Sequence, residues 1–336
     1  MGRGRSQCDI PDELLDEVFI RLPLQWIVTA RSVCRRWRRK LCCKSFLAKH
    51  DLHGPQQRWI IVDYFLNSKG FLGAFNTVDR KWLAIPVLLP PRTRNLSLLC
   101  GSQGFLCFLD RQKLHARHVH LCNPVTKQWL KVPLPRSISP LHLHLRIYGT
   151  RGSNHFKLLM LDQTCDLVPV ASLYDSRTRK WRPLNQALAA SFFSLWDNLV
   201  LSSNGIYDLE KEEWRLSVQI PRFRASSLLL RRDGGIFKAR VLVAKIKLFQ
   251  LSMESMRDEL VAESPGGMLP QGSTPKPWCF FDELDNVWIV SRWMPAIFMY
   301  EASSEQWRKF DYKWSGFEDR GIAECCNLSF HQFPHA

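Results

Sequence analysis

The chain's 336 residues predict an N-terminal all-α segment followed by an all-β propeller of six blades, seven being the alternative. Three observations carry that reading. Apolar residues at helical spacing occupy residues 9–50. From Trp59 onward the texture changes to short apolar runs separated by Gly, Pro, Asn and Asp. Within that body, a polar turn and a charged residue ending in tryptophan recur about every 45 residues.

Composition narrows the class. Hydrophobic residues at 46% and charged residues at 23% are ordinary globular values and exclude bulk disorder. The net charge of +16 is spread along the chain: residues 1–57 hold 11 Lys/Arg against 6 Asp/Glu, and the remainder is basic too. Such a surface favours acidic proteins or peptides over nucleic acid. Eleven cysteines occur without any CxxC, "MGRGRSQCDI" has no apolar signal core, and no apolar run reaches membrane-spanning length. Reduced, mostly core-filling thiols are therefore expected, in the cytoplasm and/or nucleus, with no membrane partner. Met1-Gly2 with Ser6 matches the loose myristoylation template, although Arg3 and Arg5 are atypical there; one acyl chain anchors only marginally.

The N-terminal segment reads as follows. Pro11 suits a first helical turn, and Asp12, Glu13, Asp16 and Glu17 suit the positive end of a helix. Leu14, Leu15, Val18, Phe19 and Leu22 make one apolar face, and Pro23 ends the helix. A second run sets Ile27, Ala30, Val33, Cys34, Trp37 and Leu41 on one side, with Arg31, Arg35, Arg38 and Arg39 largely off it, so "RRWRRK" reads as a solvated helix side. Some forty residues with this much apolar face are marginal alone. The surplus surface must meet the rest of the chain or another protein.

These residues resemble the F-box. Ile10-Pro11 stands in its Leu-Pro position, followed by Leu14-Leu15, Leu22-Pro23, Val33-Cys34 and Trp37, with Phe46 trailing. The departures are Ile10 for the commoner Leu, and Thr29 where a basic residue is frequent. The resemblance implies that residues 9–50 dock a Skp-type adaptor, and through it a cullin–RING ubiquitin ligase. It also implies that Ile10, Pro11, Leu14, Leu15, Leu22, Pro23, Val33, Cys34 and Trp37 form the adaptor-binding set. A short linker at 51–57 would hold the following body at a nearly fixed position.

The body spans 58–336. "FNTVDRKWLAIP", "LCNPVTKQWLKVP", "LYDSRTRKWRPL", "IYDLEKEEWRLS" and "MYEASSEQWRKF" share one design, with Trp82, Trp129, Trp181, Trp214 and Trp307 at equivalent places. Their spacings are 47, 52, 33 and 93; the last hides a sixth copy, "LFQLSMESMRDEL", with Met256 in the tryptophan position. The six residues are expected to pack blades together, because they recur once per unit. Glycine-led segments such as "GSQGFLCFLD", "SSNGIYDL" and "RRDGGIFKARVLVA" read as inner or middle strands. The body resembles the kelch-type propeller found behind many plant F-boxes, though a double glycine is clear only at Gly234-Gly235. The unit between Trp181 and Trp214 must use minimal turns or lack its outer strand. Residues 59–82 hold only two good strands, "WIIVDYF" and "FLGAFN", so the tail "GIAECCNLSFHQF" is expected to complete their blade and close the ring.

Signs of chemistry are sparse. His115, His118, His120, His142 and His144 cluster, but lack the spacing of a zinc site. No Walker loop and no GxSxG elbow occurs, so no cofactor, metal or catalytic residue is expected. Trp196, Trp278 and Trp293 lie outside the repeat and are candidates for a binding face or the core. The long Pro/Gly-rich link "AESPGGMLPQGSTPKP" is a further candidate for recognition. Together the two resemblances imply a non-catalytic substrate-recognition subunit of an SCF-type ubiquitin ligase whose propeller captures a target protein. The rivals are a non-degradative scaffold and a propeller enzyme acting on a small molecule.

Overall fold

A computed structural model describes residues 10–327 outside a set of connecting segments: 64–69, 91–92, 94, 111–115, 139–142, 150–154, 163–169, 185–191, 197–198, 203–204, 209–210, 218–225, 231–234, 243–244, 253–256, 267, 269–277, 283, 291–295 and 313–322. Among the described residues four helices come first: α1 (Asp12–Ile20), α2 (Leu24–Ala30), α3 (Arg35–Leu41) and α4 (Lys44–His53). The second helical run is thus two helices. Cys34 is extended and caps α3, its sulfur accepting from the Trp37 amide at 3.4 Å.

Twenty-four strands follow among the described residues. They are β1 (Arg58–Val62), β2 (Phe71–Asn76), β3 (Lys81–Pro86), β4 (Leu96–Ser102), β5 (Phe105–Asp110), β6 (Ala116–Asn123), β7 (Gln128–Ile138) and β8 (Leu143–Gly149). Next come β9 (Phe156–Asp162), β10 (Val170–Asp175), β11 (Lys180–Pro183), β12 (Phe192–Trp196), β13 (Leu199–Ser202), β14 (Gly205–Asp208), β15 (Glu213–Ser217) and β16 (Ser226–Leu230). The last are β17 (Ile236–Leu242), β18 (Lys245–Leu251), β19 (Asp258–Glu263), β20 (Trp278–Phe281), β21 (Val287–Val290), β22 (Ala296–Glu301), β23 (Gln306–Asp311) and β24 (Ala323–Asn327).

Among the described residues these strands make six four-stranded antiparallel sheets. Sheets II to VI use consecutive strands, β4–β7, β8–β11, β12–β15, β16–β19 and β20–β23. Sheet I has the order β24-β1-β2-β3, with Ile60 opposite Cys325 and Val62 opposite Ala323. The tail therefore supplies the missing strand. The first strands of neighbouring sheets lie side by side, β24 by β4, β4 by β8, β12 by β16 and β16 by β20, which is the geometry of a propeller. The short unit before Trp214 keeps all four strands through minimal turns.

Five sheets close with one hairpin. Four positions separate the third strand from the fourth, and the last of them has positive φ: Arg80 (55°), Lys127 (61°), Arg179 (56°), Glu212 (61°) and Glu305 (54°). An Asn or Asp ending the third strand holds the turn in four of them. Asn76 Oδ1 accepts from the Val78 and Asp79 amides, Asn123 Oδ1 from Val125 and Thr126, Asp175 from Arg177 and Asp208 from Lys211. The motif tryptophan follows one residue into the fourth strand. Trp82, Trp181, Trp214 and Trp307 stand opposite Phe75, Tyr174, Tyr207 and Tyr300, while Trp129 stands opposite Cys122 and meets the Phe108 ring at 5.5 Å.

The indole N–H explains why tryptophan is chosen. Trp82 donates to the Asp311 carbonyl (3.1 Å), Trp129 to Leu88 (2.8 Å) and Trp181 to Pro133 (2.6 Å). Each acceptor lies on, or just beyond, the outer strand of the preceding sheet. One side chain thus buries apolar area in a seam and satisfies its polar edge there. The Trp82 bond reaches from sheet I to sheet VI and helps close the ring.

Sheet V departs from the expectation. Met256 lies outside the described residues, and the register puts Glu259, opposite Gln250, where the other sheets carry tryptophan. The turn before β19 is two positions longer than its counterparts, so counting from the turn misplaced the equivalent residue.

The helices share one core with sheets I and II. Leu15, Phe19, Leu24, Ile27, Ala30, Leu41, Phe46 and Leu47 are continuous with Trp59, Ile61, Leu72, Val87, Leu98 and Cys122. The linker is shorter than 51–57, because α4 runs through His53. Nor is it a tether, since Asp51, Gly54 and Gln57 are buried. A side chain at Gly54 would meet the His50 carbonyl at 2.5 Å, so only glycine permits this approach.

Candidate functional site

The helical segment has an inner and an outer side. Leu15 (4% exposed) and Phe19 point into the shared core, whereas Ile10, Leu14 (55%), Val18 and Val33 (61%) face solvent. Leu14 and Val18, four residues apart, share one side of α1, and Ile10 precedes the helix. Arg36 fastens the beginning of α3 to that of α1, donating to the Ile10 carbonyl (2.9 Å) and to Asp12 (2.7 Å), while Lys40 Nζ lies 3.1 Å from Asp16. The Arg36 hydrogen bond holds the Asp12 carboxyl below its ordinary pKa. The turn carrying Val33 and Cys34 is thereby kept at the Ile10 end of α1.

The nine sequence-predicted docking residues divide accordingly. Ile10, Pro11, Leu14, Val33 and Cys34 are exposed, and Leu22, Pro23 and Trp37 are half-buried. Trp37 meets Phe19 edge-on at 5.0 Å and belongs as much to the core as to the surface. Leu15 is the correction: it is buried inside the segment and presents nothing to a partner. Sequence reasoning missed Trp26 and Val28, exposed on α2, and had not separated Val18 from the buried face. The four-residue interval from Leu14 was the available signal for Val18. Three cysteines, Cys34, Cys42 and Cys43, are exposed rather than core-filling.

The propeller presents two faces. The chain enters β1 from α4, so the helices lie over the third-to-fourth-strand turns of sheets I and II. Gln25 Nε2 donates to Asp79 in the first of these turns (2.6 Å), and Val125 in the second packs on the shared core. Sheet-to-sheet links open on the opposite face. The proline-rich link between β19 and β20 is one of them, and most of it lies outside the described residues, as do the side chains of Trp196 and Trp278 and all of Trp293.

Several buried polar groups are committed to the fold. Asp282 accepts from the Leu284 and Asn286 amides, from Asn286 Nδ2 and from the Trp288 indole (2.8 Å), organising a turn in sheet VI. Asp63 accepts from the Leu98 amide (2.7 Å) and ties sheet I to sheet II. Lys238 is held by Asp258 at 2.6 Å. Cys100 and Cys107 stand opposite each other; that neighbour and burial push the Cys107 thiol well up, and burial alone raises Cys122. Thiols held protonated are poor nucleophiles and metal ligands. His118 and His120 share one half-exposed side of β6, His115 and His142 lie outside the described residues, and among the described residues no three metal-ligating side chains converge.

Comparison with known proteins finds similarity in the helical segment and over most of the chain. An F-box-like family model matches residues 7–50. An F-box/kelch-repeat protein of Arabidopsis thaliana is 23% identical over 95% of this chain and 76% of its own length. Another from the same plant is 29% identical over 36% of this chain and 28% of its own. Among solved structures, TolB from Acinetobacter baumannii is 10% identical and covers 81% of this chain and 66% of its own, with a TM-score of 0.46. The chain carries an F-box-like domain at its N-terminus, and F-box/kelch-repeat proteins are similar to it over most of its length.

Proposed function

We propose that the chain is the substrate-recognition subunit of an SCF-type ubiquitin ligase, acting in the cytoplasm and/or nucleus. Residues 9–50 dock a Skp-type adaptor, which connects to a cullin–RING ligase, and residues 58–336 capture a target protein. The chain contributes position rather than catalysis: it raises the effective concentration of target lysines near the conjugating enzyme. One observation carries the reading. The F-box-like segment leaves Ile10, Leu14, Val18 and Val33 in solvent although its opposite side is already buried on sheets I and II. An exposed apolar set on an otherwise packed helical layer is the mark of a protein interface.

Because the other side of the segment shares the propeller core, the docked adaptor and the ring would hold a fixed mutual orientation. The test is co-purification of the adaptor with the full chain. Leu14→Asp with Val33→Asp should abolish it and leave the melting temperature unchanged, since both residues are exposed. Full adaptor recovery by that variant rejects the reading.

A further inference from the structure

The five equivalent hairpins differ in one respect that their backbones do not require. At the position of positive φ, sheets I, II and III carry Arg80, Lys127 and Arg179, whereas sheets IV and VI carry Glu212 and Glu305. The left-handed conformation asks for glycine or asparagine on steric grounds and is indifferent to the sign of a long side chain. The turn's backbone therefore does not dictate the charge at this position.

Two of these charges are cancelled within the ring. Arg80 pairs with Glu301 of sheet VI at 2.8 Å, and Glu212 pairs with Lys157 (3.2 Å) and Arg182 of sheet III. Sheets II and III are left in excess. Lys127 and Lys131 of sheet II, and Arg177, Arg179 and Lys180 of sheet III, are exposed, and no carboxylate lies within ion-pair distance of them among the described residues. The nearest acid in these turns, Asp175, is engaged with the Arg177 amide at 2.7 Å. Sheet II ends its third strand with neutral Asn123, where sheets III and IV use Asp. The two sheets are held together at this edge by the Trp181 bond to Pro133, which sets β7, carrying Lys131, against β11, carrying Lys180. The five cations thus fall on the outer hairpins of the two sheets that meet at this seam, a basic band whose turns lie on the face that also bears the helical segment.

We infer that this band, Lys127, Lys131, Arg177, Arg179 and Lys180, is the docking site for an acidic peptide segment of the captured protein. This rests on the substrate-receptor reading above. Charge complementarity selects the ligand class: five uncompensated cations on one seam attract carboxylates. The site lies on the F-box side of the ring, so a segment held here would be presented toward the docked adaptor. It would not depend on the proline-rich link of the opposite face.

The probe is a fluorescein-labelled peptide of alternating Glu and Gly, titrated into the full chain and read by anisotropy. Wild type should bind it, with affinity falling as salt rises. Lys127→Glu with Arg179→Glu should weaken binding about tenfold at low salt. Lys131→Glu with Lys180→Glu, placed on strands rather than in turns, should do the same. Glu305→Lys, at the equivalent backbone position of sheet VI, should leave affinity unchanged. Equal binding by all variants overturns the proposal. So does an equal and opposite response to Glu305→Lys, which marks attraction to net charge alone. Duplex DNA that binds more tightly than the peptide and loses affinity in the same two variants overturns it in favour of a nucleic-acid partner. Adaptor co-purification is measured in parallel. Retained adaptor with lost peptide supports the site, whereas lost adaptor in wild type rejects the receptor reading instead.

Discussion

Removing the tail tests how the ring is closed. β24 is joined to β1 through five opposed pairs, from Arg58 with Asn327 to Val62 with Ala323, and it is the innermost strand of sheet I. Deleting residues 321–336 strips about five backbone hydrogen bonds, each worth about 1 kcal/mol net. It also uncovers the edge of a strand in which Trp59, Ile60, Ile61 and Val62 are all buried. Exposing two of those side chains even partly costs about 1–3 kcal/mol each. The loss, about 7–11 kcal/mol, is comparable to the whole stability of an ordinary domain. The truncated protein should therefore melt at least about 10 °C lower, as followed by tryptophan fluorescence, and should aggregate through the bare edge. A synthetic peptide covering the deleted residues should recover part of the loss by adding back as a strand. A truncated chain with unchanged melting and solubility would refute closure by β24.

Other outcomes follow from the same geometry. Leu15→Ala should destabilise by about 2–5 kcal/mol in denaturant melts, because that side chain is buried in the shared core. Leu14→Asp, one residue away, should leave the melt alone and cost adaptor binding. Asn76→Ala removes bonds to the Val78 amide (2.8 Å), the Asp79 amide (3.0 Å) and Gln57 (3.0 Å), and should cost about 1–3 kcal/mol by thermal melting. Glu301 is held at about 2 by the Ser304 hydroxyl and then by Arg80 and Arg308. Its folded pKa is depressed from 4.5, so its contribution is present above the unfolded value and fades as pH falls from about 4.5 toward 2. Glu301→Gln should flatten that acid limb in a pH series of melts; an unaltered limb would show that the cluster contributes nothing to acid sensitivity.

Local chemistry was legible in the chain. An Asn or Asp, five positions and a tryptophan form a unit whose turn bonds lie within a few residues, and whose indole must lie in a seam wherever the seam runs. The break in texture at Trp59, the tail as a missing strand and the helical face with surplus apolar residues were readable for the same reason: each is a pattern the chain states in its own order. Where the pattern lengthens, reading failed. The turn before β19 holds two extra positions, and only strand register assigns the tryptophan place to Glu259 rather than Met256. Helical periodicity put Leu14 and Leu15 on one face, but which of two neighbours is buried depends on where sheets I and II lie against α1, and those sheets are distant in sequence. Likewise, a net charge of +16 announces a basic protein without saying where the charge survives. Arg80 and Arg179 occupy the same place in the same motif. Glu301, more than two hundred residues away, neutralises the first, because ring closure brings sheet VI against sheet I, whereas among the described residues no carboxylate pairs with Arg179.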